Sequence, residues 1–256
     1  MSTNGRYRPE AKAALDGAGG ALRKRFYKTA AIEAAGANRW RVVLDGRGIK
    51  TPAKRELVVP TEALANALAV EWAAQEAFYS PARLQLTRLV NSAIDGVTGR
   101  EVEVAADIVK YALSDLICYR AEQPDGLFQR QAELWEPILA WAEASYGTTF
   151  IRQHGIMPVV QPPSVADGMA TALSGLDAFR LAALHVLTTL MGSAVLAIAV
   201  LTGRLTPEAA WSAANIDEDW QIAQWGADEE ATARRARRHA DLLSAAQLLT
   251  LLGVRS

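Results

Sequence analysis

One stretch of this chain, from Leu181 to Thr202, contains no ionised side chain and limits the folds that are open to it. It is as long as the roughly 20 residues that a transmembrane helix needs. The alternative is a pair of buried helices that meet at Gly192 and Ser193. His185 lies within the stretch, and no aromatic belt flanks it as in typical membrane helices. We therefore predict a buried helical core and no stable membrane insertion.

The hydrophobic pattern changes near Pro60. Extended patterns such as "RWRVVLDG" and "RELVVP" precede this point, and apolar residues recur at helical spacing after it. The change predicts an α+β protein with a flexible leader over residues 1–24, a small α/β domain with a β-hairpin over 25–80, and a helical bundle domain over 81–256. The leader has no apolar segment of the kind that secretory signals carry. A mitochondrial presequence stays open as an alternative.

The first helix of this pattern is "TEALANALAVEWAAQEA". Thr61 is placed to cap its N-terminus. The helical period puts apolar side chains along one broad stripe that should face a core: Leu64, Leu68, Val70, Trp72 and Ala73.

The stretch "LDGRGIKTPAKRELVV" raises the question of a phosphate-binding loop, because two glycines are followed by Lys50 and Thr51. In such a loop a glycine precedes the lysine directly, and a helix begins directly after the Ser/Thr. Here Ile49 precedes Lys50, and Pro52 favours extended geometry at Thr51. We therefore predict a β-hairpin that turns at Asp45-Gly46.

Composition excludes several classes of function. The formal net charge of −1 and the pI of about 6.3 argue against nucleic-acid binding, which needs a basic face. One cysteine, Cys118, cannot form an internal disulfide, and its apolar surroundings favour a buried structural residue. The three histidines have no metal-ligand spacing, so we expect no metal and no cofactor. The segment "TTFIRQHGIMPVVQPPS" is interpreted either as a linker or as an extended piece that packs on the helices.

The C-terminal part combines acidic residues with tryptophans in "NIDEDWQIAQWGADEE". Tryptophan is enriched at protein interfaces, because its ring is apolar and its N–H group still needs a partner. Asp217 and Glu218 are adjacent, and neighbouring residues on a helix point in different directions. They do not form a ready acid–base pair, although a small helical hydrolase that uses one of them stays open as an alternative. Glu230 and Arg234 have the spacing of a surface ion pair.

Several of these motifs occur together, and in order, in one known family. The chain carries "RFYK", "LDGRGIKTPAKRELVVPT", "EWAAQ", "LTRLVNSAIDGV" and "GSAVLAIAVLTGRLTPEAAWSAANIDEDWQIAQWG". From about residue 25 to 250 it resembles the F-type ATP synthase assembly chaperones, of the kind that act on the α subunit of the catalytic head. The residue after the tryptophan of "EWAAQ" departs from the family's usual acidic residue, because it is Ala73.

This resemblance implies a small α/β domain followed by a larger orthogonal helical bundle. It also implies a chaperone that binds the free α subunit and prevents its aggregation until the β subunit pairs with it. Such a protein is not an enzyme, needs no cofactor, and is expected to be monomeric when free. Its place would be the bacterial cytoplasm, or the mitochondrial matrix in a eukaryote. The residues that the resemblance marks for client binding are Asp217, Glu218, Gln221, Trp225 and Gly226, whereas Trp72, Lys50 and Lys54 are expected to be structural.

Overall fold

The computed structural model describes residues 23–79 and 81–253. The expected leader, residues 1–24, therefore lies almost entirely outside the described residues. The contacts divide the chain into two compact units, Met1–Arg100 with Thr250–Ser256 and Glu101–Leu249. The first unit carries a small sheet and the second is mainly helical, which confirms the α+β class predicted from the sequence.

Short strands build the β part of the first unit. They are β1 (Arg23–Lys24), β2 (Ala30–Ala34), β3 (Trp40–Leu44), β4 (Arg47–Gly48), β5 (Val58–Val59) and β6 (Phe78–Tyr79). The central strand β3 pairs antiparallel with β2, β4 and β5, and β1 pairs with β6. Asp45 and Gly46 connect β3 to β4 with φ values of 48° and 76°. Positive φ at both positions is what the favoured two-residue hairpin turn requires, so the predicted hairpin is confirmed.

The Lys50-Thr51-Pro52 stretch is held by a carboxylate of the same unit. The Thr51 hydroxyl donates to Asp95 Oδ1 at 2.7 Å, and the backbone N–H of Ala53 donates to Asp95 Oδ2 at 3.0 Å. No helix begins after Thr51, because the chain turns there and continues into β5. The glycines and the lysine of this stretch therefore belong to a hairpin and not to a phosphate-binding loop.

The first helix, α1 (Glu62–Ala73), begins as the sequence predicts. The Thr61 side chain accepts the N–H of Leu64 at 3.2 Å and donates to the carbonyl of Leu251 at 2.8 Å. Leu64 and Leu68 are fully buried and Trp72 is buried, but Val70 is 66% exposed. Including Val70 and Ala73 in the buried stripe was wrong. Val70 lies two residues, or about 200°, from Leu68 and so points away from the core.

The first unit continues past residue 80, where the sequence had placed its end. Helix α2 (Gln85–Ser92) begins at the Glu71 side chain, which accepts the N–H groups of Leu86 and Thr87 at 2.8 and 2.9 Å. A π-helical turn over Ala93–Val97 follows and carries Asp95. These bonds tie residues 81–100 to α1 and to the hairpin, although their helical period resembles that of the bundle.

Replacing Trp72 with alanine is expected to lower the free energy of unfolding by about 3–5 kcal/mol, because a buried ring is lost and a cavity stays behind. The ring meets Tyr27 edge-on at 5.7 Å, and the Tyr27 hydroxyl donates to the Trp72 carbonyl at 2.7 Å. Val70→Ala on the same helix is the control and should change stability by less than about 0.5 kcal/mol. Urea unfolding followed by circular dichroism measures both. Equal losses in the two variants would contradict the burial of Trp72.

The second unit consists of helices joined by short connections. It contains α3 (Glu101–Ala112), a 3-10 turn (Leu116–Cys118), β7 (Tyr119–Arg120), α4 (Asp125–Tyr146), β8 (Gln153–His154), α5 (Pro163–Leu173), α6 (Ala178–Met191), α7 (Ala194–Leu201), α8 (Pro207–Ala214), α9 (Ile216–Trp225) and most of α10 (Glu229–Leu251), whose last two residues belong to the first unit. Helix α3 packs on α5, α6 and α7, and α4 packs on α5, α7, α8 and α9.

The apolar stretch from Leu181 to Thr202 folds as two helices, as predicted. Gly192 ends α6 with a φ of 65°, and the Ser193 side chain caps α7 by accepting the N–H of Leu196 at 3.0 Å. Both helices are largely buried within the second unit. Over residues 23–79 and 81–253, no helix combines the length and the hydrophobicity that crossing a bilayer requires.

A buried carboxyl lies where the 3-10 turn meets α7. Asp115 accepts the N–H of Ile117 at 3.3 Å and that of Val195 at 3.1 Å. Burial raises the pKa of Asp115 to about 6, although the Ser193 hydroxyl and the backbone N–H groups offset part of the effect. The carboxyl therefore binds a proton more tightly in the folded protein than in the unfolded chain between about pH 4 and 6.

This raised pKa predicts a pH dependence of stability. The free energy of unfolding contributed by Asp115 should fall by up to about 3 kcal/mol as the pH rises from 4 to 6, and should be constant above about pH 7. The fall occurs because the folded state holds the extra proton in this window. Urea unfolding of the wild type and of Asp115→Asn between pH 4 and 7.5 measures the difference. A difference that does not vary with pH would contradict the prediction.

Candidate functional site

The acidic cluster predicted from the sequence occupies the first turn of α9. Thr206 and Pro207 start α8 as expected, with the Thr206 side chain accepting the N–H of Ala209. Asn215 separates α8 from α9, so that Asp217 and Glu218 follow directly after the helix start. Negative charge at a helix N-terminus is favoured by the helix dipole, which supports this placement of the carboxylates.

The carboxylates of the cluster point to different helices. Asp217 Oδ1 accepts the side-chain N–H of Gln131, on α4, at 2.6 Å. Glu218 Oε2 lies 3.6 Å from Arg235 Nη1, on α10, and Asp219 forms an ion pair with the same guanidinium. The expectation that adjacent carboxylates diverge is confirmed, and Asp217 and Glu218 are not paired with each other for acid–base chemistry.

Gln131 connects two distant parts of the second unit and was not identified from the sequence. Its side chain is 1% exposed, and its oxygen accepts the N–H of Ala121 at 2.7 Å while its amide group donates to Asp217. One turn further along α4, the buried Trp135 donates from its indole N–H to the carbonyl of Ala213 at 2.8 Å. Helix α4 therefore fixes the end of α8 and the start of α9. The sequence does contain a signal for it, because Gln131 is a polar residue four positions from Leu127 and four from Trp135, on the same side of the helix.

Arg235 stands in an arginine-rich segment, yet its side chain lies mostly inside. Its side chain is 20% exposed, and its guanidinium carbon is 5.8 Å from the centre of the Trp211 ring. The exposed pair Glu230–Arg234, at 3.1 Å, does form on the outer face of α10 as predicted. No local pattern identifies Arg235, because its partners lie on another helix.

The exposed face of α9 runs from Glu218 through Gln221 to Trp225. These residues follow a spacing of three and four, so they lie on the same side of the helix. Gln221 is exposed, and Trp225 is 79% exposed at the end of the helix. Gly226 terminates α9 with a φ of 83°. All five residues marked for client binding therefore lie within this helix and its end.

The other tryptophans near this face pack against neighbouring residues of the second unit. Trp211 is 7% exposed. The Trp220 ring lies so close to Gly126, at the start of α4, that a Cβ atom there would be 2.8 Å from it. The guanidinium of Arg130 covers the same ring at 5.0 Å. Trp220 therefore fixes α9 against α4, which leaves Trp225 as the aromatic residue of α9 that is available to a partner.

Two other kinds of reactive site, a nucleophilic thiol and a metal centre, are not supported by the described residues. Cys118 is buried, and burial raises the pKa of its thiol. Among residues 23–79 and 81–253, no group of three or more His, Cys, Asp or Glu side chains is arranged to hold a metal ion.

The contact between Glu218 and Arg235 is expected to be weak. A double-mutant cycle with Glu218→Gln and Arg235→Gln should give a coupling energy below about 1 kcal/mol, because the glutamate is partly exposed and the separation exceeds hydrogen-bond length. Thermal and urea unfolding of the two single variants, the double variant and the wild type measure it. A coupling of several kcal/mol would mean that Glu218 is a structural residue and would remove it from the candidate site.

Both the sequence and the fold of this chain are similar to those of known proteins. The family described as "ATP12 chaperone protein" matches residues 24–143. The protein atp12, mitochondrial, of Schizosaccharomyces pombe is 26% identical over 220 residues, which cover 81% of this chain and 75% of the relative.

Solved structures are similar over most of the chain. Atp12 from Paracoccus denitrificans is 40% identical, with a TM-score of 0.83, and the match covers 90% of this chain and 98% of that one. A mutant of the same Atp12p gives 39% identity and a TM-score of 0.83, with 90% and 97% covered. A protein from Agrobacterium tumefaciens gives 43% identity and a TM-score of 0.87, with 90% and 87% covered.

Proposed function

Because the chain belongs to the ATP12 family of chaperones for ATP synthase assembly, we propose that it binds the free α subunit of the catalytic head. Binding prevents the aggregation of this subunit until the β subunit pairs with it. The chaperone acts as a monomer and without a cofactor. It works where the catalytic head is assembled, in the bacterial cytoplasm or the mitochondrial matrix.

The exposed Trp225 is the observation that carries this proposal. An indole that is 79% exposed at the end of a helix is a large apolar surface in contact with water. Tryptophan is the residue type most enriched among the dominant contacts of protein interfaces. Helix α9 is held by Gln131 and by the packing of Trp220, so the helix that carries Trp225 needs little reordering when a partner binds.

The acidic start of α9 adds specificity to this apolar anchor. Glu218 is partly exposed and lies on the same face as Gln221 and Trp225. It presents negative charge to a basic or amide group of the client. Charged groups around an aromatic anchor select the partner and keep the affinity moderate, so that the β subunit displaces the chaperone.

Binding is favoured here over catalysis. A hydrolase that uses Asp217 or Glu218 needs a second catalytic group directed at the same reacting atom. Instead, Asp217 is bonded to Gln131 on α4, and Glu218 lies beside Arg235 on α10. These contacts support a surface that binds a protein rather than a site that transfers protons.

Trp225→Ala is expected to lose most of the protection of the α subunit while its melting temperature stays that of the wild type. Loss of an aromatic anchor costs about 2 kcal/mol or more of binding free energy. The measurement is light scattering of unfolded α subunit diluted into buffer with increasing amounts of chaperone. Glu218→Gln should weaken protection to a smaller extent. Glutamine removes the negative charge without placing a second cation beside Arg235.

Val102→Ala is the matched control, because Val102 is 84% exposed and lies on α3. It should protect the α subunit as the wild type does. The β subunit, diluted in the same way, tests which subunit is the client. Equal protection by the wild type and by Trp225→Ala, across the whole titration, would remove α9 from the binding surface. Protection of β but not of α would overturn the assignment of the client.

A further inference from the structure

The segment from Ile151 to Val160, here called the apolar loop, exposes large apolar side chains to solvent. Ile156 is 96% exposed and Val160 is 90% exposed, more than any other large apolar side chain in the part of the chain that the structure describes. Met157, between them, is 69% exposed. The proposed function has not used this surface, and the sequence had placed the segment either in a linker or against the helices.

Bonds at its base hold the apolar loop in place. The buried Gln161 side chain accepts the N–H of Ile151 at 2.8 Å and donates to the carbonyl of the same residue at 2.9 Å. Arg152 pairs with Glu136 at 2.6 Å and with Glu143, both on α4. Both ends of the apolar loop are therefore anchored, which lowers the entropic cost of binding a partner.

One short piece of chain supports both the apolar loop and α9. Strand β7 pairs with β8 at the beginning of the loop, and the N–H of Gly155 donates to the carbonyl of Arg120 at 2.9 Å. Just after β7, the N–H of Ala121 is bonded to Gln131, which also holds Asp217 of α9.

The first turn of α4 also contacts both the apolar loop and α9. The Phe128 ring stacks on His154 at 5.4 Å, on the side of the apolar loop. Gly126 lies against Trp220, on the side of α9. The apolar loop and helix α9 are thus both held by the same segment of the second unit, residues 120–131.

Exposed carboxylates lie at the base of the apolar loop, and the exposed cation of residues 120–131, Arg130, lies over the Trp220 ring on the side of α9. Glu122 is exposed and its carboxylate lies against Gly155, at the turn of the loop. Asp125 is also exposed, at the start of α4. The basic residue of the loop, Arg152, is already paired with Glu136 and Glu143. A surface of this kind attracts a partner in which apolar and basic residues lie side by side, and it repels an anionic lipid surface.

We propose that the apolar loop is a second anchor for the client, and that it binds an apolar segment of the unassembled subunit that has basic residues beside it. The inference rests on the proposed function and extends it. Trp225 and the apolar loop contact the client together, and the carboxylates of Glu122 and Asp125 meet its basic residues. Two separate anchors share the retention of one client.

The double variant Ile156→Ser/Val160→Ser tests the apolar contact. The chaperone concentration that gives half-maximal protection of unfolded α subunit from aggregation should rise about tenfold or more, because two exposed apolar side chains no longer become buried. Folding should be unchanged, because the bonds of Gln161 and Arg152 stay in place, and circular dichroism and melting check this. Val102→Ser is the matched control and should protect as the wild type does.

The double variant Glu122→Gln/Asp125→Asn tests the charge. Protection by the wild type should weaken as salt is raised, and the variant should lose much of this salt dependence. A photoreactive side chain at position 156 gives a further measurement, which needs no loss of function. Crosslinks to the α subunit are expected at an apolar segment next to lysine or arginine.

The outcomes separate this inference from the function on which it rests. If the wild type fails to protect the α subunit, the proposed function and this inference both fall. If the wild type protects the α subunit, but the serine variant protects it equally well and the crosslinker gives no product, only the inference falls. Two further results would also overturn it: binding to phosphatidylglycerol vesicles that needs Ile156 and Val160, or a change in sedimented mass that shows a second copy on the loop.

Discussion

The side-chain amide of Gln131 is the contact on which the functional region depends. It joins the N–H of Ala121 to the carboxylate of Asp217, two groups that are distant in sequence, and it is almost completely buried. A buried polar group that loses its partner costs about 1–3 kcal/mol, so both ends of this bridge are held firmly. Removing the amide would release the start of α9 and the connection after β7 together. The same residues of α4 therefore hold both the helical core and the surface that we propose for client binding.

Local signals identified the elements of the fold well. Thr61 and Thr206 cap helices where the sequence placed them, Asp45-Gly46 turns the hairpin, and Gly192-Ser193 divides the apolar stretch. Each of these features depends on a few neighbouring residues, which is why the sequence reveals it. The family resemblance, carried by motifs along most of the chain, was confirmed by the similarity to ATP12 chaperones.

Features that depend on distant residues were missed. Glu71 caps a helix 15 residues further on, so the first unit extends to residue 100, beyond the expected end of the first domain at residue 80. Arg235, on α10, contacts Glu218 on the preceding helix, and a run of arginines in the sequence does not reveal that one of them is mostly buried. The exposure of the apolar loop was not predicted for a different reason. Its large apolar residues are of types that normally lie inside a protein. Client binding by Asp217, Glu218, Gln221, Trp225 and Gly226 stays a prediction.

The hydroxyl of Thr61, which donates to the carbonyl of Leu251, has a consequence for the order in which the protein forms. Leu251 belongs to the first unit, so this unit lacks a piece of itself until the residues that follow the second unit have been translated. The helical second unit, whose sequence lies between the two parts, is fully translated earlier. Nascent domains generally fold as units in the order in which they emerge. Here the N-terminal unit reaches its final form last, after the helices that it precedes in sequence.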